Sequence, residues 1–199
     1  MIVMSFGFDE PIPLIHDAID RASKTDNPPL FFAATRNDGA HKPMAWPARD
    51  RLVIGVSSTD GNGNPSPFNP LAEYTDTILH AFGEGVPVWA ADPRNPDGYS
   101  TQYVSGTSYA APVAAALAAN LLGCVRMVME TSSKEYQAIY SHVPGKLRRM
   151  DGMLAVLRRR MQMRHECGLE SLLPWHFLND ERLENNKILE DIAEALRQG

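Results

Sequence analysis

Two short, uninterrupted apolar runs constrain the fold more than any other feature of the chain. Leu30-Phe-Phe-Ala-Ala34 lies between Pro29 and a polar loop, and Leu52-Val-Ile-Gly-Val56 repeats the pattern. Five such residues bounded by turn signals mark strands buried on both faces of a parallel sheet. Ahead of them, Ile2, Val3 and Met4 are strand-like with no cap or turn before them. Pro11 and Pro13 then bracket a helix start, and Leu14, Ile15, Ala18, Ile19 and Ala22 recur at helical spacing to about Lys24. Strand, helix, strand, loop, strand is the grammar of a layered α/β domain. The expected architecture is part of a three-layer α/β fold, a parallel sheet with helices on both faces, followed by a C-terminal helical extension.

The chain has 199 residues, 44% of them hydrophobic, enough for one packed domain with a small helical annex. The net charge of −5 excludes an overall basic nucleic-acid binder. Residues 1–125 hold seven Lys/Arg against thirteen Asp/Glu, whereas 126–199 hold twelve against eleven, which suggests two compositional regions with their boundary at 125. Cys124 and Cys167 are too few for a disulfide framework, and Cys124, among Leu122, Val125 and Val128, is expected to be a buried structural thiol. No apolar run approaches the roughly 20 residues of a membrane helix, and Ala110–Leu122 is too short and alanine-rich. The first ten residues lack a basic n-region, so no signal peptide is read there; no membrane or nucleic-acid partner is expected, and the cytoplasm is the default compartment. The strand-like start hints that further sequence precedes it.

Within residues 57–103, Asp60–Pro67 reads as a turn-rich surface loop and Gly85 and Pro87 mark another turn at the short apolar Val86–Ala91 stretch, while Ser108–Cys124 reads as one helix. Beyond Thr131 the pattern is purely helical, with Lys146–Arg164 and Asn179–Arg197 the clearest segments. Leu147, Met150, Leu154, Leu157 and Met161 form an apolar stripe, and Arg148, Arg149, Arg158, Arg159, Arg160 and Arg164 a solvated basic surface. Trp46, Trp89 and Trp175 are expected to pack.

Chemistry concentrates in Ser105-Gly-Thr-Ser-Tyr-Ala-Ala-Pro112, a glycine turn running straight into a small-residue helix. A serine in the first turn of such a helix sits where unsatisfied N–H groups and the helix dipole favour developing negative charge, and alanines let a substrate backbone approach. The residues alone leave two readings open, a nucleophile or an ordinary Thr107 or Ser108 N-cap.

Gly106-Thr-Ser-Tyr-Ala-Ala-Pro112 resembles the serine motif of the subtilisin-like serine peptidases, and the resemblance implies that Ser108 is the nucleophile. Ala33-Ala-Thr-Arg-Asn-Asp-Gly39 looks like the family segment in which a buried strand ends at an oxyanion-hole asparagine, here Asn37. Such an amide donor contributes about 2.7–4 kcal/mol in the transition state, a magnitude measured on a subtilisin itself. Met4-Ser-Phe-Gly7 is similar to the strand forming one side of the substrate cleft. By resemblance, Ser5, Phe6, Gly7, Ala34, Thr35, Arg36 and Thr107 are substrate-binding. Trp46-Pro47 before Leu52–Val56, and Gly83-Glu-Gly-Val86, fall into the family order as well. The likeness covers about residues 1–125 and implies the C-terminal half of a subtilisin-like domain and a peptide or protein substrate; the family sometimes carries structural calcium, but no ligand set in the sequence supports a bound ion, and neither metal nor cofactor is expected.

Three departures matter. Arg36 stands where the family commonly has glycine near the floor of a specificity pocket, so a long charged side chain fills or repolarises it. Glu84 replaces a usual proline. The triad Asp and His have no counterpart motif in the chain. His16 and His41 lack the family context, and His80, His142, His165 and His176 show no metal-ligand spacing. The expectation is that the chain alone has negligible peptidase activity and that an upstream half supplies Asp and His. The alternatives are a non-catalytic module binding peptides by strand addition, and an unrelated α/β domain with a chance motif. An open sheet edge, with poor stability, is expected in either shortened form.

Overall fold

The structure is a computed structural model and describes residues 1–71, 77–164, 170–174 and 187–198. Strands β1 (Ile2–Met4), β2 (Phe31–Ala34), β3 (Ile54–Thr59) and β4 (Ile78–Phe82) lie side by side in chain order, all parallel. Their register pairs Ile2 with Phe31, Phe32 with Ile54 and Gly55 with Ile78. Both apolar runs thus become central strands. Because side chains alternate along a strand, Phe31, Ala33 and Val53 join Met4, Ile19 and Trp46 on one face. Phe32, Ala34, Ile54, Val56, Leu79 and Ala81 join the long helix on the other.

Helix α1 (Pro13–Ser23) covers the first face, its proline in the first turn where the missing N–H costs nothing. Ile19 is its buried anchor, whereas Leu14 of the expected stripe is exposed. Helix α2 (Thr107–Thr131) covers the second face and runs seven residues past Cys124. Ala110, Ala111, Ala114, Ala115 and Ala118 are all buried, which lets the helix lie close on β2–β4. By length and composition alone α2 is apolar enough to cross a membrane; here its alanine face packs on the sheet. Cys124 is half-buried against this core rather than fully enclosed.

Two expectations are corrected. The stretch 57–103 is less irregular than its glycines and prolines suggest: it holds the end of β3, all of β4, and an antiparallel hairpin of β5 (Val86–Ala91) and β6 (Tyr99–Val104). Trp89, Tyr99 and Tyr103 stand exposed on this hairpin, so Trp89 does not pack as Trp46 does. Trp175, Cys167, His165 and His176 lie outside the described residues.

The second correction concerns the chain after Thr131, which is not purely helical. Helices α3 (Lys134–Ile139), α4 (Val143–Leu147) and α5 (Met150–Met161) are followed by β7 (Gln162–Arg164) and β8 (Glu170–Leu172). Strand β8 pairs parallel with β4, His80 opposite Ser171, and β7 pairs antiparallel with β8, giving the sheet order β1-β2-β3-β4-β8-β7. The exposed N–H and C=O groups of β4 offer a partner that local helical propensity cannot outweigh. Helix α6 (Lys187–Arg197) ends the fold; the rest of the expected Asn179–Arg197 helix lies outside the described residues. Leu147, Leu154, Leu157 and Met161 are buried as their spacing implies. Several arginines are not simply solvated. Arg158 donates to the Ile78 carbonyl (3.3 Å), Arg159 to Ala195 (2.9 Å) and Arg160 to Asp191 (3.1 Å), stitching α5 to β4 and α6. The architecture is the expected α/β sheet with helices on both faces.

Candidate active site

Ser108 lies in the first turn of α2, facing the loops that leave β1 and β2 at their C-terminal ends, where parallel sheets gather ligands. Two glycines make this approach possible. Gly106 has φ +155°, a conformation side chains avoid, and a Cβ there would stand 3.1 Å from Asn37 Nδ2. A Cβ on Gly83 would stand 2.8 Å from both Ala110 Cβ and Ser58 Oγ. With no side chain in the way, Gly106 N–H donates to the Gly83 carbonyl at 2.8 Å and fixes the turn.

Asn37 is oriented by its oxygen. Thr107 N–H donates to Asn37 Oδ1 (2.8 Å), and Arg36 N–H donates to Thr107 Oγ1 (3.3 Å). With Oδ1 occupied in this way, the carboxamide keeps its Nδ2 donors free on the side of Gly106.

Ser108 is fixed by an interplay with Pro112. In a regular helix the Ser108 carbonyl would accept from the N–H of residue 112, but proline has none. Ser5 Oγ donates to that carbonyl at 3.0 Å instead. Ser108 Oγ in turn lies 3.5 Å from the Ser5 carbonyl. The proline of the motif thereby couples the nucleophile-bearing turn to the strand end opposite.

These elements enclose a cleft of about 320 Å³. Of the residues singled out from the sequence, Ser5, Phe6, Gly7, Ala34, Arg36, Asn37, Thr107 and Ser108 line it. Thr35 does not: it is fully buried, its Oγ1 2.9 Å from Ser57 Oγ, and it supports the cleft from behind. Asp9, Asp38, Lys42 and Ala45 also line the cleft and were not singled out. Asp9 follows Gly7 by two positions and Asp38 follows Asn37 directly, so proximity to the motifs was the available signal.

Arg36 dominates the charge of the cleft. Its backbone has φ +145°, and its side chain, only 9% exposed, forms ion pairs with Asp9 and, at 3.5 Å, with Asp38. Asp9 is 69% exposed. The hydrogen bond from Arg36 holds the Asp9 carboxyl below the ordinary carboxylate value, with further help from the charges of Arg36 and Lys42. Arg49 donates to the Asp9 backbone carbonyl.

No histidine lines this cleft among the described residues. His16 lies on α1, its Nδ1 2.9 Å from Asp50 Oδ2, in a pair that ties α1 to the loop before β3. His41 ends a single turn at Gly39–His41. Among the described residues no group of three His, Cys, Asp or Glu is placed to hold a metal. A larger cavity of about 1050 Å³ opens at the opposite end of the sheet, between Asn27–Phe31 and Pro144–Asp151, remote from Ser108.

Residues 1–142 match the Subtilase family, so the chain belongs to that family of subtilisin-like serine peptidases. A stretch of 98 residues is 39% identical to the subtilisin-like protease het-Q2 of Podospora anserina, covering 48% of this chain and 26% of that protein. Another of 124 residues is 34% identical to the minor extracellular protease Epr of Bacillus subtilis (strain 168), covering 61% of this chain and 17% of that protein. The matched stretches thus span about a quarter and a sixth of these relatives. Among solved structures, a mutant of the protease domain of PatA superimposes with a TM-score of 0.60 at 22% identity, over 94% of this chain and 61% of that one. The PatG macrocyclase in complex with peptide gives 0.59 at 20% identity, over 94% and 51%. At those identities the structural likeness concerns the fold.

Proposed function

We propose that this cleft is the nucleophile side of a serine endopeptidase site. Ser108 Oγ attacks the carbonyl carbon of a peptide bond and gives up its proton to a base. Asn37 Nδ2 donates to the oxygen that becomes negative, in the region where the first N–H groups of α2 also point. Collapse of the tetrahedral species expels the amine, which takes the proton, and water then releases the acyl group from Ser108. The peptide runs along Ser5–Gly7 and past Ala34, Arg36 and Thr107. Residues 1–125 form this half-site, and residues 126–199 are an extension whose described part continues the sheet beyond β4 with β8 and β7.

The observation that carries the reading is that Asn37, held by its oxygen on the Thr107 N–H, lines the same cleft as Ser108 with its Nδ2 beside Gly106, because an N-cap alone would need no such asparagine. Family membership and the peptide bound to the PatG neighbour support a peptide substrate. The base is the missing part. With no histidine along the cleft among the described residues, the Asp and His are assigned to another stretch of polypeptide docking beside β1, whose Ile2 and Val3 are exposed. The same two facts favour a second reading, a peptide-binding cleft without catalysis.

The deciding experiment is to treat the native protein, enriched from its source, with a fluorophosphonate probe and to measure its intact mass. Labelling at Ser108, lost in Ser108→Ala, on a protein well above 22.0 kDa supports the peptidase reading. The isolated 199-residue chain is expected to hydrolyse peptides negligibly, since loss of the triad serine or histidine costs about 10⁶ in turnover, again a figure from a subtilisin. A native mass of 22.0 kDa without labelling moves the assignment to the binding module. Rapid hydrolysis by the isolated chain, abolished by Ser108→Ala, overturns the assignment of the base to another segment.

A further inference from the structure

We propose that the cleft beside Ser108 is a receptor for an acidic side chain, with Arg36 as its anchor and Asp9 occupying the position of the ligand carboxylate until a peptide arrives. The proposal rests on the reading of the cleft as a peptide site and adds the class of peptide it takes.

The backbone supplies the first argument. Arg36 is the only described non-glycine residue with positive φ, at +145°. Side chains in such conformations persist at a cost of about 1–3 kcal/mol when the surroundings hold them there, and such residues gather at ligand sites. The adjacent N–H of Arg36 is bound to Thr107 Oγ1, so the strained residue is locked one position from Ser108 on one side and one from Asn37 on the other.

Burial supplies the second. Arginines are mostly exposed, yet this side chain is nine-tenths buried in the lining of a polar cleft. Its guanidinium can donate five hydrogen bonds and suits planar carboxylates. The two carboxylates it meets are unlike in kind. Asp38, at 3.5 Å, is adjacent to Asn37 in the chain and 53% exposed, whereas Asp9 comes from the segment after β1 and is 69% exposed. The Arg36–Asp9 pair thus has one buried cation and one solvated carboxylate, and the solvated partner is the one that an incoming carboxylate can replace.

Charge balance supplies the third. Arg36 and Lys42 line the cleft and Arg49 grips the Asp9 backbone, three cations against Asp9 and Asp38. When a ligand carboxylate displaces Asp9 from Arg36, it enters a locality with one cation in excess. A large apolar side chain placed there would strip water from the guanidinium and its carboxylates without replacing those bonds.

The test uses the whole chain and three fluorescein-labelled, end-capped peptides, Ala-Ala-X-Ala-Ala, with X as Asp, Asn or Phe, followed by fluorescence anisotropy. The Asp peptide is expected to bind about tenfold tighter than the Asn peptide, the size of one charge-assisted hydrogen bond, with Phe weakest. That preference should shrink as salt rises. Asp9→Ala should tighten the Asp peptide further by removing the internal competitor. Arg36→Gly should erase the difference between Asp and Asn, and because glycine is at ease at φ +145° this variant keeps the fold, which its melting curve checks. Equal binding of the three peptides, or a preference for Phe, overturns the proposal and leaves the peptide cleft standing. Loosening of the Asp peptide by Asp9→Ala overturns it as well. Failure of every peptide to bind removes the peptide cleft itself.

Discussion

The cleft and the C-terminal layer of α3 to α6 with β7 and β8 are held together by different means. Around Ser108 the parts are placed by close backbone approach and single hydrogen bonds: Gly83 against Ala110, Gly106 beside Asn37, Ser5 on the Ser108 carbonyl. The C-terminal layer is fixed chiefly by apolar burial, with Leu147, Met153, Leu157, Leu189 and Ile192 all fully enclosed, and the arginine bonds from α5 add to it. Burial scales with area and tolerates small shifts, whereas a hydrogen bond to a nucleophile's neighbour is lost within a fraction of an ångström. The C-terminal layer should therefore set how stable the fold is, and the glycine turns should set whether the cleft is correctly formed.

Hollowing the C-terminal layer should have the largest effect on stability. Leu157→Ala removes a fully buried side chain from the core shared by α5, α6 and α2 and is expected to destabilise the fold by about 2–5 kcal/mol. Denaturant unfolding measures it. Peptide binding at a temperature where the variant remains folded should be unchanged, since no residue after Ser108 lines the cleft among those described. A loss of binding in proportion to the loss of stability would mean that the two regions are one mechanical unit.

The converse variant is Gly83→Ala. The new methyl group would meet Ala110 and Ser58, and such overpacking costs about 1–3 kcal/mol. Its effect on the site should exceed its effect on stability, because the Gly83 carbonyl holds the Gly106 N–H at the head of α2. Expected is a modest drop in melting temperature together with loss of peptide binding and of Ser108 labelling. A variant that melts far lower but binds normally would reverse the assignment.

This division also explains what could be read in advance. Leu30–Ala34 and Leu52–Val56 were legible as buried strands because continuous apolar runs have few other outcomes, and Ser108 and Asn37 were legible because a local motif carries its own geometry. Strand β8 was not, since its pairing depends on an edge of β4 more than 80 residues earlier, at His80, and nothing in Glu170–Leu172 announces it. The arginines of α5 were misread as solvated because their acceptors are main-chain carbonyls on β4 and α6. Asp9 was overlooked for a related reason: its importance lies in Arg36, 27 positions away. Thr35 erred in the other direction, a motif residue whose side chain turns to Ser57.

A smaller effect isolates the linkage of Ser5, Ser108 and Pro112. Ser5→Ala leaves the Ser108 carbonyl without its donor, a loss of about 1 kcal/mol or less where water can take over. Pro112→Ala restores an N–H that can bond the same carbonyl within the helix. In the double variant the serine becomes redundant, so the cost of Ser5→Ala should be smaller in the Pro112→Ala background than in the native one. Additive costs in a double-mutant cycle would show that the two residues act independently.

The smallest expected effect is the titration of Asp9. Its carboxyl lies below the ordinary value because Arg36 donates to it and because Arg36 and Lys42 attract its charge. A depressed folded-state value means that the pair contributes above the unfolded carboxylate value, about 3.9, and is lost as pH falls through the lowered one. From neutral pH to about pH 4 the pair is intact, and because Asp9 is solvated no step in stability should accompany its loss. The titration is visible in the carboxyl carbon shift of Asp9 by NMR. In Arg36→Gly its midpoint should move upward toward the ordinary carboxylate range, since the largest cause of the depression is gone. An unmoved midpoint would mean that Lys42 alone holds Asp9, and that the contact across the cleft is too loose for a ligand carboxylate to exploit.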